Sequence, residues 1–253
     1  MSQAAQALAI TLAVALFAAA VVLAKHRFFP PDPADEPRED VAEYISMMVG
    51  VLYALVLGLA LVSVWETSDN ASGHTQAEAG ALHQTYLVAD ALPPEGQTKV
   101  RAIAEQYARH VVNAEWPRMA GRQDLGSEGW TMLGQLRAAT RLPANATPAQ
   151  QIAAQELLSQ LGTLDEARRG REQDAQSSLS PVLWVGLILG GVLTVAFMFL
   201  FGIQRNVTHI VMVMGLAALI TFLVLLIHEL DSPFGGYLGT DTSAFTRYFP
   251  VAA

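Results

Sequence analysis

Glu66, Asp69 and Asn70 follow a run from Tyr44 to Val64 that contains no charged residue. If copies of the chain surround an axis, each of the three repeats as a ring. A ring of carboxylates at the mouth of a pore favours cations and opposes anions. The plainer reading is a solvated face on a helix that leaves the membrane. Upstream, Val49, Leu52, Val56 and Ser63 share one edge of the same run. As a ring of small apolar side chains they would gate a conduit by dewetting. As a stripe against lipid they would have no part in conduction.

Other reactive residues are less organised. His209, His228 and Glu229 lie at the ends of the last hydrophobic block, where reaching water is cheap. His228-Glu229 lacks the second histidine of a metalloprotease helix. Arg168, Arg169 and Arg171 cluster shortly before the third hydrophobic block. They read as a solvated face or as a contact for anionic headgroups. Asn145-Ala146-Thr147 matches a glycosylation sequon of a kind that chance often supplies. There is no GxSxG, no P-loop and no dinucleotide fingerprint, and Glu and His are not grouped as hydrolysis requires. The chain has no cysteine, which removes thiol chemistry and Cys-ligated metals. No enzyme, cofactor or metal is implied, and the net charge of −8 argues against nucleic acid.

The elements that must position these residues are membrane helices. Of the 253 residues 52% are hydrophobic, and they collect in four blocks instead of spreading as in a soluble core. The run Tyr44–Val64 makes ~30 Å of helix at ~1.5 Å per residue, which matches the hydrocarbon thickness of a bilayer. Gly50, Ala54 and Gly58 recur every fourth residue on its other edge, and Gly186 and Gly190 form a GxxxG pair. Small residues so spaced let helix backbones approach in lipid. Trp65 and Trp184 read as interface anchors.

The expected fold is an all-α integral membrane protein: four transmembrane helices with a helical soluble domain inserted between the second and third. Residues 1–40 hold the first spanning helix, Ala4–Ala24, and a loop rich in proline and acids. A retained anchor fits that first block better than a signal peptide, because it lacks a charged n-region. Residues 41–66 are the second spanning helix, and 67–180 the soluble bundle. Its stripes are Leu82, Tyr86 and Ala89, then Val100, Ile103, Tyr107, Val111 and Ala114, then Trp130, Leu133 and Leu136. Thr147-Pro148-Ala149-Gln150 spells a capping box before a long helix marked by Ile152, Leu157, Leu158, Leu161 and Leu164. Residues 181–230 form a hairpin turning at Gln204-Arg205-Asn206, and 231–253 an extended C-terminal tail. Four basic residues flank the short loops (Lys25, Arg27, Arg38, Arg205) and four lie near the opposite ends (Arg168, Arg169, Arg171, Arg247), so charge alone sets no orientation.

The segment VGVLYALVLGLALVSVW followed by ETSDNA, the later YARHVVNAEWPRMAG, and a tight hairpin ending in LDSPFGG before a late phenylalanine, Phe245, resemble bestrophins. The resemblance is closest to their bacterial bestrophin-like branch and covers roughly residues 41 to 248. It implies a homo-oligomeric anion channel, a pentamer by that likeness, in the cell membrane. The soluble domain and both termini would be cytoplasmic, and the second membrane helix would line an axial pore. Its partners are then further copies of itself, the lipid bilayer and small inorganic ions. Two departures stand out. The acids that clasp calcium in gated bestrophins are replaced here by PFGGYLGTD, with only Asp231 and Asp241 near. The candidate constriction of Val49, Leu52 and Val56 is smaller than a bestrophin neck. The competing reading is a membrane-tethered helical sensor or scaffold without transport.

Overall fold

The computed structural model describes residues 39–200 and 207–250, with isolated helical positions between Ala9 and Ala24. The Gln204–Asn206 turn, the proline-rich loop, most of the first hydrophobic block and the His209 side chain lie outside the described residues. Among the described residues the structure is all-helical. Helix α1 is Glu39–Val88, closed by a 3-10 turn at Ala89–Ala91. Then come α2 (Pro94–His110), a π turn (Val111–Glu115), α3 (Trp116–Ala120), α4 (Glu128–Ala139), α5 (Pro148–Gln176), α6 (Pro181–Leu200), α7 (Val207–Leu230) and α8 (Ser243–Tyr248). Segments of α1, α6 and α7 are long and apolar enough to cross a membrane. The chain divides into two compact units, Met1–Trp65 with Ser178–Asp231, and Glu66–Ser177 with Ser232–Ala253.

In the first unit, α1 buries Tyr53, Leu57, Ala60 and Val64 together with Leu187 of α6 and Ile227 and Leu230 of α7. The spacing of four, three and four residues keeps these side chains on one face. The Tyr53 ring lies on Gly190 and Gly191: a Cβ at Gly190 would sit 2.5 Å from Tyr53 Cδ2, and one at Gly191 2.9 Å from its hydroxyl. Only residues without a side chain admit the ring there. Ser180 caps α6 by accepting from the Leu183 amide at 3.3 Å, and Pro181 stands at the first helical position. The Leu179 amide donates to Asp231 Oδ1 at 2.6 Å, joining the start of α6 to the end of α7.

In the second unit, Leu82, Val100, Tyr107, Leu133, Leu136, Leu157, Leu161, Leu164 and Phe245 are fully buried in one core. The capping box at the start of α5 is formed, with Thr147 Oγ1 and Gln150 each bonded to the other's backbone. The face of α5 differs from the expected stripe: Ile152 and Leu158 are exposed, and burial follows Ala154, Leu157, Leu161, Leu164, Arg168, Arg171 and Ala175. The second stripe also shifts at its end. Burial passes from Val111 to Glu115, four residues on, and Ala114 is only half-buried. The tail is not extended throughout, since Asp241 Oδ1 accepts from the Ser243 amide and starts α8. Phe245 and Phe249 then bury in the core, and Phe234 packs edge-on against Trp116 at 5.5 Å.

Candidate functional site

The residues singled out for a conduit all lie on α1. Leu52, Val56 and Ser63 are exposed and Val49 is half-buried. Glu66, Asp69 and Asn70 are exposed. With ~100° per residue, Leu52, Val56, Ser63 and Asn70 fall on one flank of the buried Tyr53–Val64 seam. Gly50, Ala54 and Gly58 fall on the other flank, with nothing within 4 Å of a Cβ added at Gly50 or Gly58. Gly186 is equally open, whereas Gly190 carries Tyr53. Among the described residues, then, one face of α1 is packed, and Leu52, Val56 and Ser63 on one flank and Ala54 and Gly58 on the other are exposed. An apolar cavity of about 450 Å³, lined by Phe17, Leu187, Val192, Ile220 and Val224 among others, offers an ion no ligand. Among the described residues no His, Asp and Glu group has the arrangement of a metal site.

The most concentrated polar chemistry sits in the second unit. Glu78 of α1, Glu115 of the π turn, and Arg168 and Arg171 of α5 are completely buried, as is Tyr107 of α2. Arg168 Nη2 donates to Glu115 Oε1 at 2.7 Å and Arg171 Nη2 to Glu115 Oε2 at 2.7 Å. Arg171 also grips Glu78 through Nε and, at 3.0 Å, through Nη2. The Tyr107 hydroxyl donates to Glu78 Oε1 at 2.5 Å and accepts from Arg168 Nη1 at 3.0 Å. Arg171 Nη1 reaches Met119 Sδ at 3.0 Å. At the rim, Glu172 Oε1 is 2.9 Å from Arg168 Nη2, and the Trp130 indole donates to Glu172 at 3.1 Å. Arg168 lies 5.1 Å over the Trp130 ring, and its guanidinium occupies the space a side chain at Gly129 would need.

Two carboxylates and two guanidiniums balance, which is the condition under which such charges survive without water. Burial disfavours every ionised form here, and the partners decide the outcome. For Glu115, burial is outweighed by Arg171 and Arg168, and the carboxyl is held below the usual range. Burial likewise works against Arg171 and Arg168, but neighbouring Glu78, Glu115 and Tyr107 hold both protonated beyond their ordinary values. Burial, with Glu78 adding to it, pushes the Tyr107 phenol well above its normal range. Glu172 is raised chiefly by burial. Nothing in the cluster is poised as a nucleophile. It cross-links α1, the π turn and α5 with fixed geometry.

Sequence reasoning placed Arg168 and Arg171 on a solvated or lipid-touching patch, and the structure corrects this: both are core residues, and only Arg169 is exposed. The signal was present. The spacing that begins at Ala154 and Leu157 runs through positions 161, 164, 168, 171 and 175 without a break. Glu78 likewise stands in step between Thr75 and Leu82. Glu115 stands four residues after Val111 and eight after Tyr107, so it too keeps step with the buried face.

The Bestrophin-like domain family matches residues 12–245. A bacterial bestrophin homologue from Klebsiella pneumoniae is a structural neighbour in two singly substituted forms. One has a TM-score of 0.65 at 12% identity and the other 0.63 at 14%, each with 96% of both chains covered. A third solved structure, described as a membrane protein, gives a TM-score of 0.60 at 14% identity over 100% of this chain and 97% of its own. Among curated proteins none matches the sequence. A family match over nearly the whole length, with that fold, places this chain in the bestrophin-like family.

Proposed function

We propose that this protein is a homo-oligomeric ion channel of the cell membrane, with an axial pore lined by α1. Val49, Leu52, Val56 and Ser63 line the path, and Glu66, Asp69 and Asn70 stand at its mouth. Gly50, Ala54 and Gly58, with Gly186, take neighbouring helices. The soluble unit and both termini are cytoplasmic, and the conducted species is an anion by family likeness. The acids at the mouth favour cations, so selectivity is the sharpest point to measure.

One observation carries this reading. Among the described residues a single face of α1 is packed, and apolar and small residues on both flanks are exposed. A helix that must face neighbours on one side and an axis on the other needs that arrangement. Currents from the full chain in planar bilayers test it. Wild type conducts, and Leu52→Ala or Val56→Ala changes unitary conductance. A silent wild type, or a lone subunit in detergent particle images, overturns it. A single cysteine at Ser127 should be labelled only from the cytoplasmic side.

A further inference from the structure

His110 ends α2 beside the π turn, and its side chain is only 10% exposed. Its Nε2 has no hydrogen-bond partner among the described residues. That nitrogen lies 3.4 Å from Glu115 Oε1 and 3.7 Å from Glu128 Oε2. A neutral imidazole can present a lone pair to carboxylate lone pairs, which repel it. A proton on the nitrogen turns that repulsion into attraction and lets it donate to Glu115 Oε1. Glu115 comes from the π turn and Glu128 from α4, so the imidazole is faced by carboxylates from two elements. Behind Glu115 stands Arg168 of α5, with Glu172 on its far side. On α2 itself, Arg109 lies 3.9 Å from Glu105.

We propose that His110, with Glu115 and Glu128, is a proton-binding site that regulates conduction; this rests on the channel reading above. The decisive detail is shared occupancy. Glu115 Oε1 already accepts from Arg168 Nη2 at 2.7 Å, and the same oxygen is the one nearest His110. A proton taken from solution by His110 Nε2 makes it a competitor for that oxygen. Arg168 has other carboxylates in reach: Glu172 at 2.9 Å and Glu78 at 3.9 Å. One proton therefore shifts Arg168 from Glu115 toward Glu172 and Glu78, and Glu78 belongs to the helix carrying the pore candidates.

The test uses the full chain and two readouts. In planar bilayers with the cytoplasmic side stepped from pH ~8 to ~5.5, wild-type current changes by at least ~5-fold, and His110→Gln flattens the response. In detergent, Trp130 reports the same step by fluorescence, because Arg168 lies over its ring. The step is isolated by subtracting Trp130→Phe and is absent in His110→Gln. Glu128→Gln, at a 65% exposed side chain, folds in any case and moves the step to lower pH. A fluorescence step that survives His110→Gln overturns the proton site. A step that needs His110 in a protein without current upholds the site and overturns the channel reading instead.

Discussion

Along α1 buried residues recur every three or four positions on both sides of Trp65, but what they bury differs. Between Tyr53 and Val64 the buried face is apolar and works by close approach to glycine. Between Ala71 and Ala89 it includes Thr75, Glu78 and Thr85. The two threonines return their hydroxyls to the carbonyls of Ala71 and Ala81, at 2.7 and 2.8 Å. Glu78 has no such local answer and depends on Arg171. The same spacing thus produces a forgiving contact in one unit and a demanding one in the other. Apolar packing loses stability by degrees, whereas a buried charge that loses its partner is left uncompensated.

Removing that partner should give the largest effect. Arg171→Met takes from Glu78 its main cation and from Glu115 one of two, and is expected to cost about 3–5 kcal/mol in chemical denaturation. Glu78→Leu combined with Arg171→Met should recover much of the loss. If the double variant is as unstable as the single one, the cluster is not the separate electrostatic unit described here.

A milder disturbance is titration. Glu115 is held below its usual range, so its contribution is full above the unfolded-state value of about 4.5 and vanishes as pH falls through the lower folded-state value. Thermal melts should weaken on acidification in that window, and Glu115→Gln should remove this part of the slope. Tyr107 has the opposite sign. Its raised phenol adds stability that is full below about 10 and is lost as pH climbs further. Tyr107→Phe tests this on the alkaline side.

In the membrane unit the expected changes are smaller. Gly190→Val forces a side chain into the Tyr53 ring, at about 1–3 kcal/mol. Adding Tyr53→Ala should relieve it. Thr147→Ala removes the α5 capping box and is expected to cost about 1 kcal/mol, the smallest effect.

The helices were largely legible because their signals are local. Pro181 after Ser180, the Thr147 capping box and the uncharged run to Val64 each act within a few residues. The ion cluster is not legible in this way: Arg168 and Arg171 keep the helical spacing, but their charge by itself points to solvent. What makes those positions tenable is Glu78, distant by 93 residues from Arg171, and no short-range pattern links them. Glu115 is masked in the same way, since it stands four residues after Val111 and is charged. His110 stood in the sequence without a visible partner, since Glu128 meets it only once α4 folds back.

The 50 residues of α1 amount to ~75 Å of helix at ~1.5 Å each, against ~30 Å of hydrocarbon. A transmembrane voltage drops almost entirely across the insulating layer. In the proposed channel, an ion beside Val56 travels within that electrical gradient, while one beside Asp69 has left it. Substitutions near Val56 would therefore reshape current–voltage curvature. Neutralising Glu66 or Asp69 would alter local ion concentration instead, an influence that fades once added salt shortens the Debye length below ~8 Å.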